Sequence, residues 1–349
     1  MSLLQETCEK INELDEEKMK AARERINSLI KPPGSLGKLE ELAEKLSGIT
    51  GELYPDINNR VHILMAGDHG VAKEGVSIAP QALTASMMES FLTGGAAINV
   101  FCRQMDAELK VVDMGLAEDI EDENIIDQKI KYATGNISRE PAMSEKEAIE
   151  SLETGIELAF QAADEGADII STGEMGIGNT TPSSAVLAAM TDYEVKEVVG
   201  YGTGINDSQR EKKINIVERA ISQNQPDPNS AVDVLAAVGG LEIGGMAGVM
   251  LGAAARSLPV LVDGFISGAA AMLAYGIQPD VTGYLIPSHK SVEPGHIKIY
   301  EHLGLSPMLD MDMRLGEGTG AVLALPLVES AVRMMRDMAT FSEAGIELG

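Results

Sequence analysis

From residue 60 onward, short apolar runs rich in Val and Ile alternate with longer stretches of helical pattern, and each run ends in a cluster of glycine and polar residues. The runs are VHILMA (61–66), LKVVDMG (109–115), ADIISTG (167–173), KEVVGYGTG (196–204), LPVLVDG (258–264) and VTGYLIPS (281–288). Stretches at about 80–104 and 144–165 read as helices between them. A strand that is apolar without interruption has both of its faces buried. That is the demand of a parallel sheet covered by helices on each side, so the pattern predicts an α/β fold of that kind.

Ligands of open parallel sheets bind outside the carboxyl ends of the strands, which is where the glycine and polar clusters fall. They are GDHG (67–70), DMG (113–115), STGEMGIGNTT (171–181), GYGTGIND (200–207), VDG (262–264) and PSHK (287–290). Six at one sheet edge argue for a site there more strongly than any one does. The spacing of STGEMGIGNTT is GxxGxG, so it is not a dinucleotide fingerprint, and the chain holds no Walker A pattern. Gly173, Gly176 and Gly178 would still let backbone amides approach an anion, and Asn179, Thr180 and Thr181 add donors at a helix start. Glu174 would repel a phosphate there but could hold a ribose hydroxyl. A plain strand-to-helix turn accounts for the same residues. In the second loop, Gly202 and Gly204 precede a helix carrying Lys213, which is either a point charge for a phosphate or part of a solvated face.

Three further features stay open between a structural and a chemical role. Asp68 and His69 suggest a metal or a general base, yet His62, His289, His296 and His302 show no HxH or HExxH spacing, and no metal is expected. Methionines at 87, 88, 175, 308, 311 and 313 are core fillers first. Met175 and Met313 flank the candidate loops, however, and could line an adaptable pocket for a flat ring. In RLGEGTGA (314–321), Glu317 sits between two glycines, with Arg314 before and Thr319 after: a surface turn, or a carboxylate placed where the backbone can come close to a ligand.

The ends of the chain differ in pattern. EEKMKAARERINSLI (16–30) reads as an amphipathic helix closed by Pro32 and Pro33, and a second helix starts near Leu36, giving a helical hairpin over about 1–50. A last helix over about 319–338 is expected to pack back on it, with Pro326 kinking it or marking its start. The net charge of −27 repels nucleic acid and anionic membrane, and a chain with no Trp, 5 Phe and 7 Tyr is poorly equipped to stack bases. The longest uncharged apolar run, at about 243–255, is shorter than the ~20 residues that span a bilayer. The charged start MSLLQETCEKINELDEEK is no signal peptide, and Cys8 and Cys102 make no disulfide framework. A cytoplasmic protein is expected, with two domains or one large domain and an appendage.

KPPGSLGKLEELA, GDHGVAKEGVS, GGAAINVFCRQ, GEMGIGNTTPSSAV, LPVLVDGFISGAAA and MRLGEGTGAVLALPLVESA occur in this order. Together they closely resemble the nicotinate-nucleotide–dimethylbenzimidazole phosphoribosyltransferase family, from about residue 16 to about 340. The resemblance implies a pentosyl transfer in cobalamin biosynthesis: nicotinate mononucleotide plus dimethylbenzimidazole gives α-ribazole 5′-phosphate and nicotinate, with no cofactor. It implies a Rossmann-like parallel sheet with helices on both faces. It also implies a small helical domain built from residues 1–55 and about 325–349, a large catalytic domain over 56–324, and a homodimer whose subunits close each other's sites. The family's catalytic base falls on Glu317. Its phosphate contacts fall on Gly176, Gly178, Gly202, Gly204 and Lys213, and Glu174, Asn179 and Thr180 would lie near the ribose and nicotinate. Leu315 and its methionine neighbours would partly desolvate Glu317 and raise its pKa, and Met87, Met175 and Leu315 belong to the expected substrate-binding set. The family carries a Gln in the helix that starts near Gln81, and Met87 stands at or near that place. The resemblance therefore leaves benzimidazole, adenine or a phenol open as acceptors, beside a non-catalytic protein that binds nucleotide or base.

Overall fold

The computed structural model describes residues 1–346. Six strands form one sheet: β1 (Arg60–Gly67), β2 (Ala107–Gly115), β3 (Ile125–Asp127), β4 (Ile169–Met175), β5 (Val260–Val262) and β6 (Leu285–Pro287). Their order is β3-β2-β1-β4-β5-β6, and every pairing is parallel. The chain runs outward one way from β1 to β3, then returns to pair β4 on the other side of β1. That reversal opens a crevice beyond the carboxyl ends of β1 and β4. A two-stranded parallel pair, β7 (His289–Lys290) and β8 (Leu309–Asp310), lies beyond β6 in the chain.

The helices are α1 (Leu3–Cys8), α2 (Glu16–Ser28), α3 (Lys38–Thr50), α4 (Leu83–Thr93), α5 (Ala97–Gln104), α6 (Glu145–Asp164) and α7 (Thr180–Ala189). They continue with α8 (Val195–Val198), α9 (Asp207–Asn224), α10 (Ala231–Val238), α11 (Leu241–Ala255), α12 (Phe265–Ile277), α13 (Pro294–Leu303) and α14 (Thr319–Asp337). Successive strand residues feed two separate cores. Ile63, Met65, Val112, Ile170 and Val260 pack with α6, α11 and α12, while Leu64, Ala66, Val111, Ile169 and Leu261 pack with α3, α5 and α14. Burial on both faces is why these strands read as unbroken apolar runs. None of the helices among the described residues is long and apolar enough to cross a membrane.

α11 is buried from Leu241 to Ala254 because its glycines let it lie against α6 backbone to backbone. A Cβ added at Gly248 would sit 2.0 Å from the Leu152 carbonyl oxygen, and one at Gly155 would sit 1.9 Å from that of Gly245. The two chain ends also meet. α14 packs on α2 and α3, Leu29 bridges to Thr340, and the Arg25 guanidinium donates to the Met335 and Met338 carbonyls at the end of α14. α1 leaves this group and packs on α6 and α11, where the Leu4 N–H donates to Glu153.

Several elements differ from the sequence reading, among them β3, β7 and β8, which lie outside the expected runs. The stretch expected as one helix over about 80–104 is two, because Gly94 ends α4 in the left-handed conformation at φ 81° and Asn99 restarts the chain by accepting the Ala96 N–H. KEVVGYGTG forms no strand. Val195–Val198 coil into a single helical turn, with Glu197 accepting the Glu194 N–H, and Val198 and Val199 are buried among helices rather than in the sheet. Over 281–288 only Leu285–Pro287 is strand, after a 3-10 turn at Pro279–Tyr284. Pro326 lies inside α14, which begins earlier at Thr319. Of the C-terminal segment, residues 347–349 lie outside the described residues.

Candidate active site

A cleft of about 210 Å³ opens at the carboxyl end of the sheet. The end of β4 contributes Glu174, Met175 and Gly176, and the turn after β5 with the start of α12 contributes Asp263 to Ser267. Ser291 and Glu293 follow β7, Leu83 and Met87 come from α4, and Arg314 to Glu317 close the wall. Of the residues expected at a site, Met87, Glu174, Met175, Gly176, Asn179, Thr180, Gly202, Leu315 and Glu317 line the cleft. Gly178, Gly204 and Lys213 are not part of its lining. Gly178 turns the β4–α7 loop at φ 94°, and Gly204 turns the second loop at φ 107°.

Lys213 lies one layer beneath. It is fully buried, which excludes the solvated-face reading, and its ammonium donates to Thr180 Oγ1 at 2.6 Å. A Cβ on Gly202 would stand 3.4 Å from that ammonium, so Thr180 and Gly202 both lie against it. Burial pulls its pKa down to about 8, with Glu293 opposing.

Glu317 is not on a surface turn either; it is 5% exposed. Gly316, Glu317 and Gly318 are left-handed in succession, at φ 89°, 61° and 81°. Glycine enters that region freely, but for a residue with a Cβ it costs about 1–2 kcal/mol. The strained residue is held at two points. Its carbonyl accepts from His62 Nε2 at 2.9 Å, and its own carboxylate Oε2 accepts the Ile98 N–H at 3.2 Å. Ile98 stands in the first turn of α5, so the break after Gly94 supplies the helix N-terminus that Glu317 uses. Burial raises the Glu317 pKa, against the Ile98 N–H and with the help of the Asp263 charge. Leu315, expected to desolvate it, is 59% exposed and contributes little.

Glu174 is buried beside it and accepts from Asn179 Nδ2. Burial first, then the charges of Asp263 and Glu242, push its pKa up to about 8, so it is protonated at neutral pH. Gly316 must be glycine here, since a Cβ would lie 2.3 Å from Glu174 Oε1. The cleft thus gathers four carboxyl groups, Glu174, Asp263, Glu293 and Glu317, against one guanidinium, Arg314, and His289. Such a site favours a ligand that is cationic or becomes so.

Asp263, Ser291 and Glu293 escaped the reading of the sequence. Asp263 accepts the Ala321 N–H at 3.0 Å at the start of α14 and lies 3.5 Å from His289 Nε2. The VDG cluster at a strand end was the available signal for it. Glu293 accepts the Gly202 N–H at 2.8 Å and has a second, buried oxygen without a partner among the described residues. Nothing in its local sequence marks it; the loop after β7 brings it there. His69 is held by Glu242 at 2.8 Å and does not line the cleft.

The family model described as Phosphoribosyltransferase matches residues 11–346. A nicotinate-nucleotide–dimethylbenzimidazole phosphoribosyltransferase of Chloroflexus aurantiacus is 51% identical over 347 residues, covering 99% of both chains. The chain belongs to the nicotinate-nucleotide–dimethylbenzimidazole phosphoribosyltransferase family. Another relative of that name, from Desulforamulus reducens, is 50% identical over 351 residues and covers 100% of both chains. The crystal structure of the phosphoribosyltransferase of that specificity from Thermus thermophilus superposes with a TM-score of 0.91 at 41% identity, covering 96% of this chain and 100% of that one. In this phosphoribosyltransferase chain the family's motifs meet at the cleft: GEMGIGNTT supplies Glu174 to Ile177, Asn179 and Thr180, and RLGEG supplies Arg314 to Glu317.

Proposed function

We propose that this chain transfers the phosphoribosyl group of nicotinate mononucleotide to dimethylbenzimidazole, releasing nicotinate and forming α-ribazole 5′-phosphate. The observation that carries the reading is the buried, strained Glu317 carboxylate on the wall of an acidic cleft, in a chain of this family. Nicotinate in the nucleotide is a pyridinium, so breaking its bond to C1′ returns the electron pair to a neutral ring and needs no strong acid. The sugar gains oxocarbenium character, which the surrounding carboxyl groups favour. One nitrogen of the incoming base bonds to C1′ from the opposite face, inverting a β- to an α-nucleoside, while the proton on its other nitrogen becomes acidic. Glu317 accepts that proton and passes it to solvent. Its raised pKa makes it the better acceptor, and Gly316 and Gly318 keep bulk away from the flat ring.

Gly176, Gly202 and Thr180 hold the phosphate in this reading, with Lys213 acting through Thr180 from beneath. Glu174 and Asn179 shape the ribose side, and Gly178 and Gly204, outside the cleft lining, serve the phosphate by turning the two loops. Met87, Met175 and Leu315 flank the base. Leu315, Leu83 and Met311 are 59%, 38% and 58% exposed. We assign these exposed apolar side chains to contact with a second copy of the chain, and the helices at 1–55 and about 325–346, apart from α1, to the small unit that closes the partner's site. Nicotinate mononucleotide supplied with equal dimethylbenzimidazole, benzimidazole, adenine and p-cresol tests the reading by mass spectrometry of the products. Dominant α-ribazole phosphate is expected. A dominant adenine or cresol product would reassign the acceptor, and no product would leave only nucleotide binding.

A further inference from the structure

His62 stands in β1 with its ring completely buried. Each ring nitrogen has one partner. Nδ1 lies 2.7 Å from Ser171 Oγ on β4, its neighbour across the sheet, and Nε2 lies 2.9 Å from the Glu317 carbonyl oxygen. A carbonyl only accepts, so Nε2 carries the proton. Burial brings the pKa of His62 down to about 4, so the ring is neutral and Nδ1 is a lone pair. The Ser171 hydroxyl therefore donates to Nδ1; its other acceptor, the Val61 carbonyl, is at 3.4 Å. Donors thus run in one direction, from Ser171 through His62 to Glu317. The ring fits a slot between two glycines. A Cβ at Gly318 would lie 2.0 Å from His62 Cε1, and one at Gly173 would lie 2.5 Å from Nε2.

We propose that His62, with its tautomer set by Ser171, is the positioning residue for Glu317: its Nε2–H anchors the carbonyl of the left-handed residue and so aims the carboxylate along the cleft wall. It touches no substrate. Glu317 has a backbone conformation that relaxes unless its surroundings hold it. The other hydrogen bond to Glu317, from the Ile98 N–H to its carboxylate, leaves the backbone carbonyl to His62. The charged and titratable groups around Glu317 are Glu174 from β4, Asp263 from the turn after β5, and Arg314 on its own loop, together with the N-terminus of α5. His62 adds no charge to this set, so its loss alters geometry rather than the field. The proposal rests on Glu317 being the base.

The test is the pH dependence of kcat, the KM of each substrate and the melting temperature for His62→Leu, His62→Gln, Ser171→Ala and Glu317→Gln. His62→Leu is expected to lower kcat by about tenfold or more while leaving the nucleotide KM within about twofold. It should also move the acid limb of kcat to lower pH, because a loosened carboxylate is better hydrated. The Gln amide reaches as far as Nε2, so His62→Gln should recover most of the rate, with Ser171→Ala between. Wild-type kcat and an unmoved limb in His62→Leu and Ser171→Ala would overturn the proposal, as would His62→Gln no faster than His62→Leu at equal melting temperature. If His62→Leu does not fold, Ser171→Ala, which leaves the ring in place, decides by the same criteria. A fully active Glu317→Gln would overturn the base reading and this proposal together. An inactive Glu317→Gln beside unaffected His62 and Ser171 variants would overturn this proposal alone.

Discussion

The Glu317 carboxylate accepts the backbone N–H of Ile98, 219 residues away in the chain, at 3.2 Å. The contact joins a strained loop to the first turn of a helix, and it explains an otherwise odd pairing of effects. Burial raises the pKa of the carboxyl, while a fixed donor at a helix N-terminus keeps the ionised form aimed and available.

Glu317→Gln keeps the size and the acceptor for Ile98 but cannot take a proton. It should reduce kcat by about 10²–10⁴, the usual contribution of a positioned base, while calorimetry finds nucleotide affinity near that of the wild type. Unchanged turnover would remove Glu317 from the chemistry.

The pH–rate profile should show its acid limb above the ordinary carboxyl value of 4.5. Only the ionised form accepts a proton, so a raised pKa means that activity is lost as pH falls through that higher value. A limb at or below about 4.5 would mean that a group other than Glu317 sets it.

Lys213→Ala should weaken nicotinate mononucleotide more than the free base, because the ammonium lies against Thr180 and Gly202, the two residues proposed to hold the phosphate. Equal losses for both ligands by calorimetry would instead describe a collapsed buried site, since Lys213 is also a large fully buried side chain.

Glu174 titrates from 4.5 in the unfolded chain to about 8 when folded. A raised folded pKa gives stability that is complete below 4.5 and is lost as pH rises through about 8, because the native state keeps a proton that the unfolded chain releases. Glu174→Gln has no such proton. The melting temperature of the variant minus that of the wild type should therefore grow with pH across this window; a constant difference would contradict a protonated native Glu174.

Sedimentation at micromolar concentration should find a species twice the 37.0 kDa chain mass. A lone monomer would leave the exposed Leu315 and Met311 without the cover assigned to them.

The parallel α/β sheet was legible because its cause is local. Strands buried on both faces must be apolar at every position, and helices between them must keep one apolar stripe, whatever the final arrangement. The strand-end clusters were legible for a similar reason, since glycine and polar residues mark where a chain must turn at the sheet edge. KEVVGYGTG shows the limit: Val198 and Val199 are apolar because helices bury them, and a short apolar run does not say what does the burying.

The RLGEG motif pointed to Glu317, and the left-handed run of Gly316 to Gly318 is its local signature. Everything that gives the carboxylate its properties comes from far along the chain. His62 holds its carbonyl and Ile98 its carboxylate oxygen, while Asp263 adds charge from the turn after β5. Glu293 reaches Gly202 by the same route. Sequence by itself determined which segments could be strands and which residues could do chemistry, because both are properties of a residue and its near neighbours. Only the tertiary structure decided which carboxyl is protonated, which is strained and which faces the cleft, because desolvation and hydrogen bonding depend on groups that folding alone brings together.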